Sequence, residues 1–324
     1  MTSWLLRRLI QALFVVLAMT VIVFLGVNVI GNPVDILISP QADQAERARA
    51  IIALGLDRPI WEQYATFLWN AVQGDLGKSF VFNEPALRLI ASRMPATIEL
   101  AVTAVLLSIV LGIPLGLYAG LRPNSTGGRL IMAGSIFGFS LPSFWVGLML
   151  IMVFAVQLGW LPSTGRGQTE TLFGIPWSFL TRDGLAHMVM PATNLALGNI
   201  ALVLRLTRAG VRETLPLDYI KFARAKGLSP ARVLAVHVMK NILIPIVTVI
   251  GLEFGSIIAF AVVTESVFAW PGMGKLIIDS INVLDRPVIV AYLMMIVFLF
   301  IAINLIVDLL YTVLDPRVRL ETRE

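Results

Sequence analysis

Four groups of residues in this sequence have types or spacings that could do chemistry. The first is Gly77-Lys78-Ser79 within "GDLGKSF", which looks like the end of a phosphate-binding loop. Such a loop wraps phosphates in backbone N–H groups and needs a glycine five places before its Gly-Lys pair. That place holds Val72, and the nearby glycine is Gly74. "PGMGKLI" fails as well, because Leu276 follows its lysine. The second group is the histidines, of which there are two, His187 and His237, beside no cysteine at all. Thiol catalysis, disulfides and cysteine metal sites are excluded, and little is left for a histidine metal cluster. The third group is Glu253 and Asp308, acids inside apolar runs. Each costs about 2.5–3.5 kcal/mol at the centre of a membrane helix, so each should face protein or water. A carboxylate there can meet the amine of a peptide or another cation, or accept a hydrogen bond from a neighbouring helix. The fourth group is five lysines and arginines between Lys221 and Lys240, with Gly227 in their midst. No nucleophile–base pair is evident within the apolar runs. The expectation is a protein that is not an enzyme, binds no metal and carries no ATP site or other cofactor of its own.

The elements that must position these residues are membrane helices. The chain has 324 residues, 57% hydrophobic and 14% charged, with mean hydropathy +0.85, whereas soluble domains carry about 25% charged residues. Six segments are apolar over the roughly 20 residues a bilayer requires: Leu9–Ile30, Leu100–Leu121, Leu130–Leu158, Met188–Leu204, Ile242–Phe268 and Val288–Leu314. The third exceeds a bilayer's thickness, which predicts tilt or an extra turn, and its end reads equally well as loop. The first follows Arg7 and Arg8 but runs on with no small-residue cleavage site, so it reads as a retained helix rather than a signal peptide. With the N-terminus inside, residues 1–8, 122–129, 205–240 and 315–324 carry 15 of the 25 lysines and arginines. The outer segments 31–96, 159–187 and 269–287 carry 10 over nearly twice the length. The positive-inside rule therefore predicts a multi-pass protein with both termini in the cytoplasm. The net charge of +5 reflects a membrane face, not nucleic acid.

The basic run then lies in a cytoplasmic loop, 205–240. Pro216 suits a first helical turn, and Tyr219, Phe222 and Ala223 fall at i, i+3 and i+4 as a small apolar face. Gly227 can end that helix in the left-handed conformation. Ser229-Pro230 then reads as an N-cap with proline at the first helical position, opening a helix that leads into the next span. A short basic helix of this kind suits a soluble partner or anionic lipid equally well, and its charges also hold topology.

"DYIKFARAKGLSPARVLAVHVMKNILIPIV" (Asp218–Val247) resembles the cytoplasmic coupling loop of ABC-importer permeases of the dipeptide/oligopeptide/nickel family. "LGLDRPIWEQYATFLWNAVQGDLGKSF" (Leu54–Phe80), "RMPATIELA" (Arg93–Ala101), "ESVFAWPGMGKLIIDSI" (Glu265–Ile281) and "LDPRVR" (Leu314–Arg319) resemble that family's other segments, in order and along nearly the whole chain. Three places depart from the pattern, the first being its closing Pro, which comes later here, at Pro245. Lys221 stands where the broader superfamily carries Glu, and "IGNPVD" (Ile30–Asp35) replaces a Pro-Gly-Asp-Pro-like turn. The resemblance implies an all-α integral membrane protein of six transmembrane helices in the type I ABC-importer permease fold, with a helical outer segment after the first span. It implies residence in a bacterial inner membrane. Its expected partners are a second homologous permease, two ATPase subunits that bind the ATP, an extracytoplasmic substrate-binding protein and membrane lipid. Lys221, Phe222, Ala223, Arg224, Ala225, Lys226 and Gly227 would be the ATPase-coupling residues, with Arg224 and Lys226 in charged contacts. The cargo expected is short peptides, with nickel chelates, glutathione or other peptide-like molecules behind. An ion-coupled secondary transporter and a channel are the rival readings.

Three domains follow: residues 1–96 with the first span and a helical outer segment, a five-helix core at 97–314, and a tail at 315–324. Within the core, Glu253 and Pro142 are the candidate path residues. Asp308 has Asn304 one turn away as a hydrogen-bond partner, and Glu265 is expected at the watery outer rim. Pro114, Pro142 and Pro245, with Gly112, Gly116 and Gly138, can kink helices around a path or simply pack. "PQADQAERARAIIALGL" and "PIWEQYATFLWNAVQ" both read as outer amphipathic helices, with Trp61, Tyr64 and Trp69 as interface anchors.

Overall fold

The structure is a computed structural model that describes residues 2–29, 43–53 and 56–314. The Ile30–Asp35 turn, the start of the first outer helix, the tail 315–324 and the side chain of Asp308 lie outside the described residues. Five helices are long and apolar enough to cross a membrane, and a bent pair makes a sixth if it is taken as one span. The chain falls into two compact units, Met1–Pro95 with Pro271–Ala302, and Ala96–Trp270 with Ile303–Glu324.

In the first unit, α1 (Thr2–Val29) is an unbroken apolar helix, and α2 (Gln44–Ala53) and α3 (Ile60–Val72) follow. Pro59 occupies the N-cap of α3. Thr20 of α1 shares a hydrogen bond with the Tyr64 hydroxyl of α3 at 2.9 Å, and Phe24 packs edge-on to the Tyr64 ring. Tyr64 is therefore held by α1, whereas Trp61 and Trp69 stay exposed. The loop that resembled a phosphate cradle is a folded turn. Ser79 Oγ donates to Asp285 Oδ2, and the Phe80 N–H donates to Asp285 Oδ1 at 3.1 Å. The same unit contains α10 (Met273–Asn282) and most of α11 (Arg286–Leu314).

In the second unit the main pair is α4 (Ala86–Leu121), which enters from the first unit, and α7 (Arg182–Thr214). α4 begins well before the expected Leu100, and its 36 residues span about 54 Å at 1.5 Å per residue. A Cβ on Gly112 would lie 2.9 Å from Val203 Cβ, one on Gly116 2.6 Å from Thr207 Cβ, and one on Gly120 2.8 Å from Val211 Cβ. Gly112 and Gly116 thus let two helices touch backbone to side chain, the small-residue packing of membrane helices.

The expected third span, Leu130–Leu158, is corrected. It is two helices, α5 (Thr126–Ser140) and α6 (Ser143–Gln157), bent by 106°. Pro142 has no N–H to continue α5 and instead caps the start of α6 in an extended conformation. The last turns of α6, Ile151–Gln157, widen to π-helix. A short hairpin, β1 (Glu170–Leu172) with β2 (Ile175–Trp177), precedes α7 and is the only paired sheet among the described residues. After α7 come α8 (Asp218–Ala225) and α9 (Pro230–Val267).

Glu265 on α9 is fully buried and accepts the Thr97 hydroxyl at 2.6 Å, so it does not sit in water at a rim. Trp270, equally buried, donates its indole N–H to the Ala96 carbonyl at 2.9 Å.

Candidate functional site

The seven loop residues singled out by sequence fall on α8 and its C-terminal cap. α8 begins at Asp218 with Leu217 as N-cap, so Pro216 precedes the helix rather than opening it. Its buried face is Ile220 and Ala223, not the expected Tyr219–Phe222–Ala223 stripe. These two residues pack with Val211 of α7 and with Val233, Val238, Ile242 and Ile246 of α9. Phe222 lies two residues from Ile220, about 200° around the helix, and is 61% exposed. Tyr219 is held sideways, its hydroxyl accepting from Asn241 Nδ2.

α8 ends in a Schellman motif. The Gly227 N–H donates to the Arg224 carbonyl at 2.9 Å, and the Leu228 N–H reaches back to the Ala223 carbonyl at 3.3 Å. Gly227 has φ +77°, and a Cβ there would meet nothing within 4 Å, so the demand for glycine is one of backbone conformation alone. Ser229 Oγ then accepts from the Arg232 N–H at 3.4 Å with Pro230 at the first helical turn, as expected.

The outer face of α8 carries its charges. Lys221 pairs with Asp218 at 2.9 Å on an exposed surface. Lys226 Nζ sits 4.6 Å from the centre of the Phe222 ring. Arg224 lines a groove of about 450 Å³ with Leu121, Leu215, Leu228, Pro230 and Leu234. The result is a braced, cationic, partly aromatic knob resting on the ends of two long helices.

Glu253 lies apart from that knob. It lines a cavity of about 230 Å³ in the second unit, formed by the α5–α6 elbow, α7 and α9. Pro142 makes the elbow, and its neighbours Leu141 and Ser143 line the cavity. Two asparagines of α7, Asn194 and Asn199, also line it, and neither was singled out in the sequence. Their signal was available, because α7 is a long span interrupted by amides. Gly138 lines the cavity with open space around it.

A buried ion pair was also missed. Glu99 on α4 accepts Arg166 Nη2 at 2.6 Å on one oxygen, and on the other it takes the Ser178 and Phe179 N–H groups at 2.6 and 3.0 Å. Arg166 also gives Nη2 to the Pro176 carbonyl at 2.8 Å. The pair anchors the β1–β2 segment to α4.

Comparison with known proteins fits this architecture. Residues 112–320 match the family "Binding-protein-dependent transport system inner membrane component", and residues 1–101 match its N-terminal region. The chain is 38% identical over 337 residues to the di/tripeptide transport system permease protein DppB of Pseudomonas aeruginosa, covering 98% of this chain and 99% of that protein. It is 36% identical over 320 residues to the glutathione transport system permease protein GsiC of Escherichia coli, with the same coverage. A solved inward-facing structure of the MetNI methionine ABC transporter superposes with TM-score 0.57 over 72% of this chain and 99% of its own, at 17% identity, a likeness of fold. The chain therefore belongs to the binding-protein-dependent transport system inner membrane components, as a multi-pass permease subunit of an ABC importer that relies on partner ATPases for ATP and is not itself an enzyme.

Proposed function

We propose that this chain forms half of a path for short peptides, with α8 as the coupling helix gripped by an ATPase subunit. The observation that carries the reading is the build of α8. Its apolar face is spent on α7 and α9, while Phe222, Arg224 and Lys226 point outward. A helix needed only for topology has no use for a Schellman cap and a buried seam. In the complete importer a second, homologous permease supplies the other half as a heterodimer, two ATPases take one coupling helix each, and an extracytoplasmic binding protein delivers cargo. Both termini and α8 face the cytoplasm, in keeping with the lysine and arginine count. The working division is residues 1–96, a core at 97–314 with the loop 205–240, and a tail at 315–324. Closure of the ATPases on ATP draws the coupling helices together and rocks the spans, and hydrolysis resets them. Glu253 and the Pro142 elbow border the path.

The peptide assignment leans on the names of the relatives, and a glutathione cargo is the second reading because GsiC matches over the same length. The test is co-purification of the tagged chain from gently solubilised membranes, with each partner identified by mass spectrometry and the ligand of the co-purified binding protein determined. Two ATPases, a second permease and a peptide-loaded binding protein support the proposal. A chain that purifies alone, even after cross-linking, overturns the assembly. A loaded ligand other than a peptide overturns the cargo.

A further inference from the structure

The cavity beside the α5–α6 elbow has a one-sided chemistry. Its polar lining is Ser143, Asn194, Asn199, Glu253, Ser256 and Thr264, and no lysine, arginine or histidine lines it among the described residues. Glu253 makes no hydrogen bond or ion pair among the described residues. A carboxylate within an apolar span is costly unless something brings it a positive charge or donors.

Asn194 provides an independent observation. It is 4% exposed, its Nδ2 donates to Thr264 Oγ1 at 2.9 Å, and its Oδ1 is buried with no partner among the described residues. The amide is thus fixed by one end, and its acceptor is unused at the wall of the cavity. Asn199 gives its Nδ2 to the Leu195 carbonyl at 3.4 Å, and its oxygen has no hydrogen bond among the described residues. Arg205, the cation stacked 4.7 Å from the Phe139 ring, gives its Nε to the Ala201 carbonyl and is not part of the lining.

Three acceptors and a lining without a positive side chain, the nearest cation being Arg205 behind the lining Phe139 ring, call for a ligand that brings donors and charge. A primary ammonium has three N–H donors and one charge. A divalent metal takes six or more oxygens, usually from several carboxylates, and no metal-holding cluster of His, Asp and Glu occurs among the described residues. We propose that Glu253, with Asn194 and Asn199, holds the free α-ammonium of the passing substrate, so that the permease itself distinguishes peptides with a free N-terminus from blocked ones. Leu141, Val146, Leu195, Ile257 and Phe260 of the same cavity then receive the first side chain. This rests on the peptide-import reading.

The test uses the detergent-solubilised permease–ATPase complex without binding protein, and equilibrium dialysis of radiolabelled dialanine and N-acetyl-dialanine. The expected result is binding of dialanine at least tenfold tighter than of the acetylated form, a loss of about tenfold in dialanine affinity for Glu253→Gln, the size of one charge-assisted contact, and an unchanged affinity for N-acetyl-dialanine. Glu253→Asp keeps the preference, and Asn194→Leu weakens it. Assembly with the ATPases on gel filtration separates these effects from misfolding. Equal affinity for the two probes, no binding of either, or an equal loss for both in Glu253→Gln overturns the inference. Uptake of dialanine by proteoliposomes with binding protein present decides the peptide reading separately, since uptake without discrimination sinks only the ammonium site.

Discussion

The Glu99 carboxylate is shared between one side chain and two backbone groups: Arg166 at 2.6 Å on one oxygen, and the Ser178 and Phe179 N–H groups on the other. Its side chain is 1% exposed and that of Arg166 11%. Glu99→Ala leaves a buried guanidinium without its anion and two N–H groups without an acceptor, a loss of about 3–5 kcal/mol. The expected outcome is a clear fall in the thermal midpoint of the detergent-solubilised complex. The double variant Glu99→Ala/Arg166→Met recovers part of it, because a broken buried pair costs more than an absent one.

Gly227→Val places a β-branched residue at φ +77°, where an L-residue is strained by about 1–2 kcal/mol. The Cβ itself meets open space, so the fold survives and the chain inserts normally. ATP hydrolysis should continue while uptake falls, because the C-terminus of α8 no longer holds its angle. Gly227→Asn, which tolerates this conformation, should retain most uptake. Normal transport by the valine variant would remove the coupling role from this cap.

Phe222→Ala tests the exposed face without touching the buried seam. The ring is largely in solvent, with Lys226 lying over it. Thermal stability should move by less than about 0.5 kcal/mol, as for most surface changes, while co-purification of the ATPase subunits drops. Ile220→Ala should do the reverse, destabilising the chain by about 2–5 kcal/mol through a buried cavity.

Asp285→Asn probes the turn that looked like a phosphate loop. Asp285 is fully buried and accepts from Ser79 and from the Phe80 N–H. The amide leaves donors facing donors, so limited proteolysis between Gly77 and Glu84 should quicken. Lys78→Ala, at an exposed position in the same turn, should leave ATP-driven uptake unchanged.

Much of this architecture was readable from hydropathy and from the punctuation of the loop. Gly227 and Ser229-Pro230 each announced a local backbone event, and each event is there. The elbow at Pro142 was not readable in the same way. Its flanks are apolar on both sides, and a hydropathy window averages across a break in direction. The face of α8 is not set by aromatic size: Ile220 and Ala223 are buried while Phe222 is exposed. Ile220 carries the seam because it looks toward Val211 and Val238, a fact of tertiary packing. Glu99 and Arg166 are far apart in sequence and became partners only once the hairpin folded back. Carboxylates usually sit in water, whereas Glu265 is buried and accepts a hydroxyl from α4.

The glycine row on α4 has a mechanical consequence. Gly112, Gly116 and Gly120 seat against Val203, Thr207 and Val211 of α7, so the notches and the pegs share a spacing of four residues and run in the same direction. Four residues of helix advance about 6 Å. A smaller slide would lift every peg out of its notch and onto the bulkier residues between. A slide of one full step would drop Val203 into the place opposite Gly116 and Thr207 opposite Gly120. These two helices are therefore indexed like a rack and pawl: the fit of peg to notch resists a slide along the seam and favours motion of the pair as one piece.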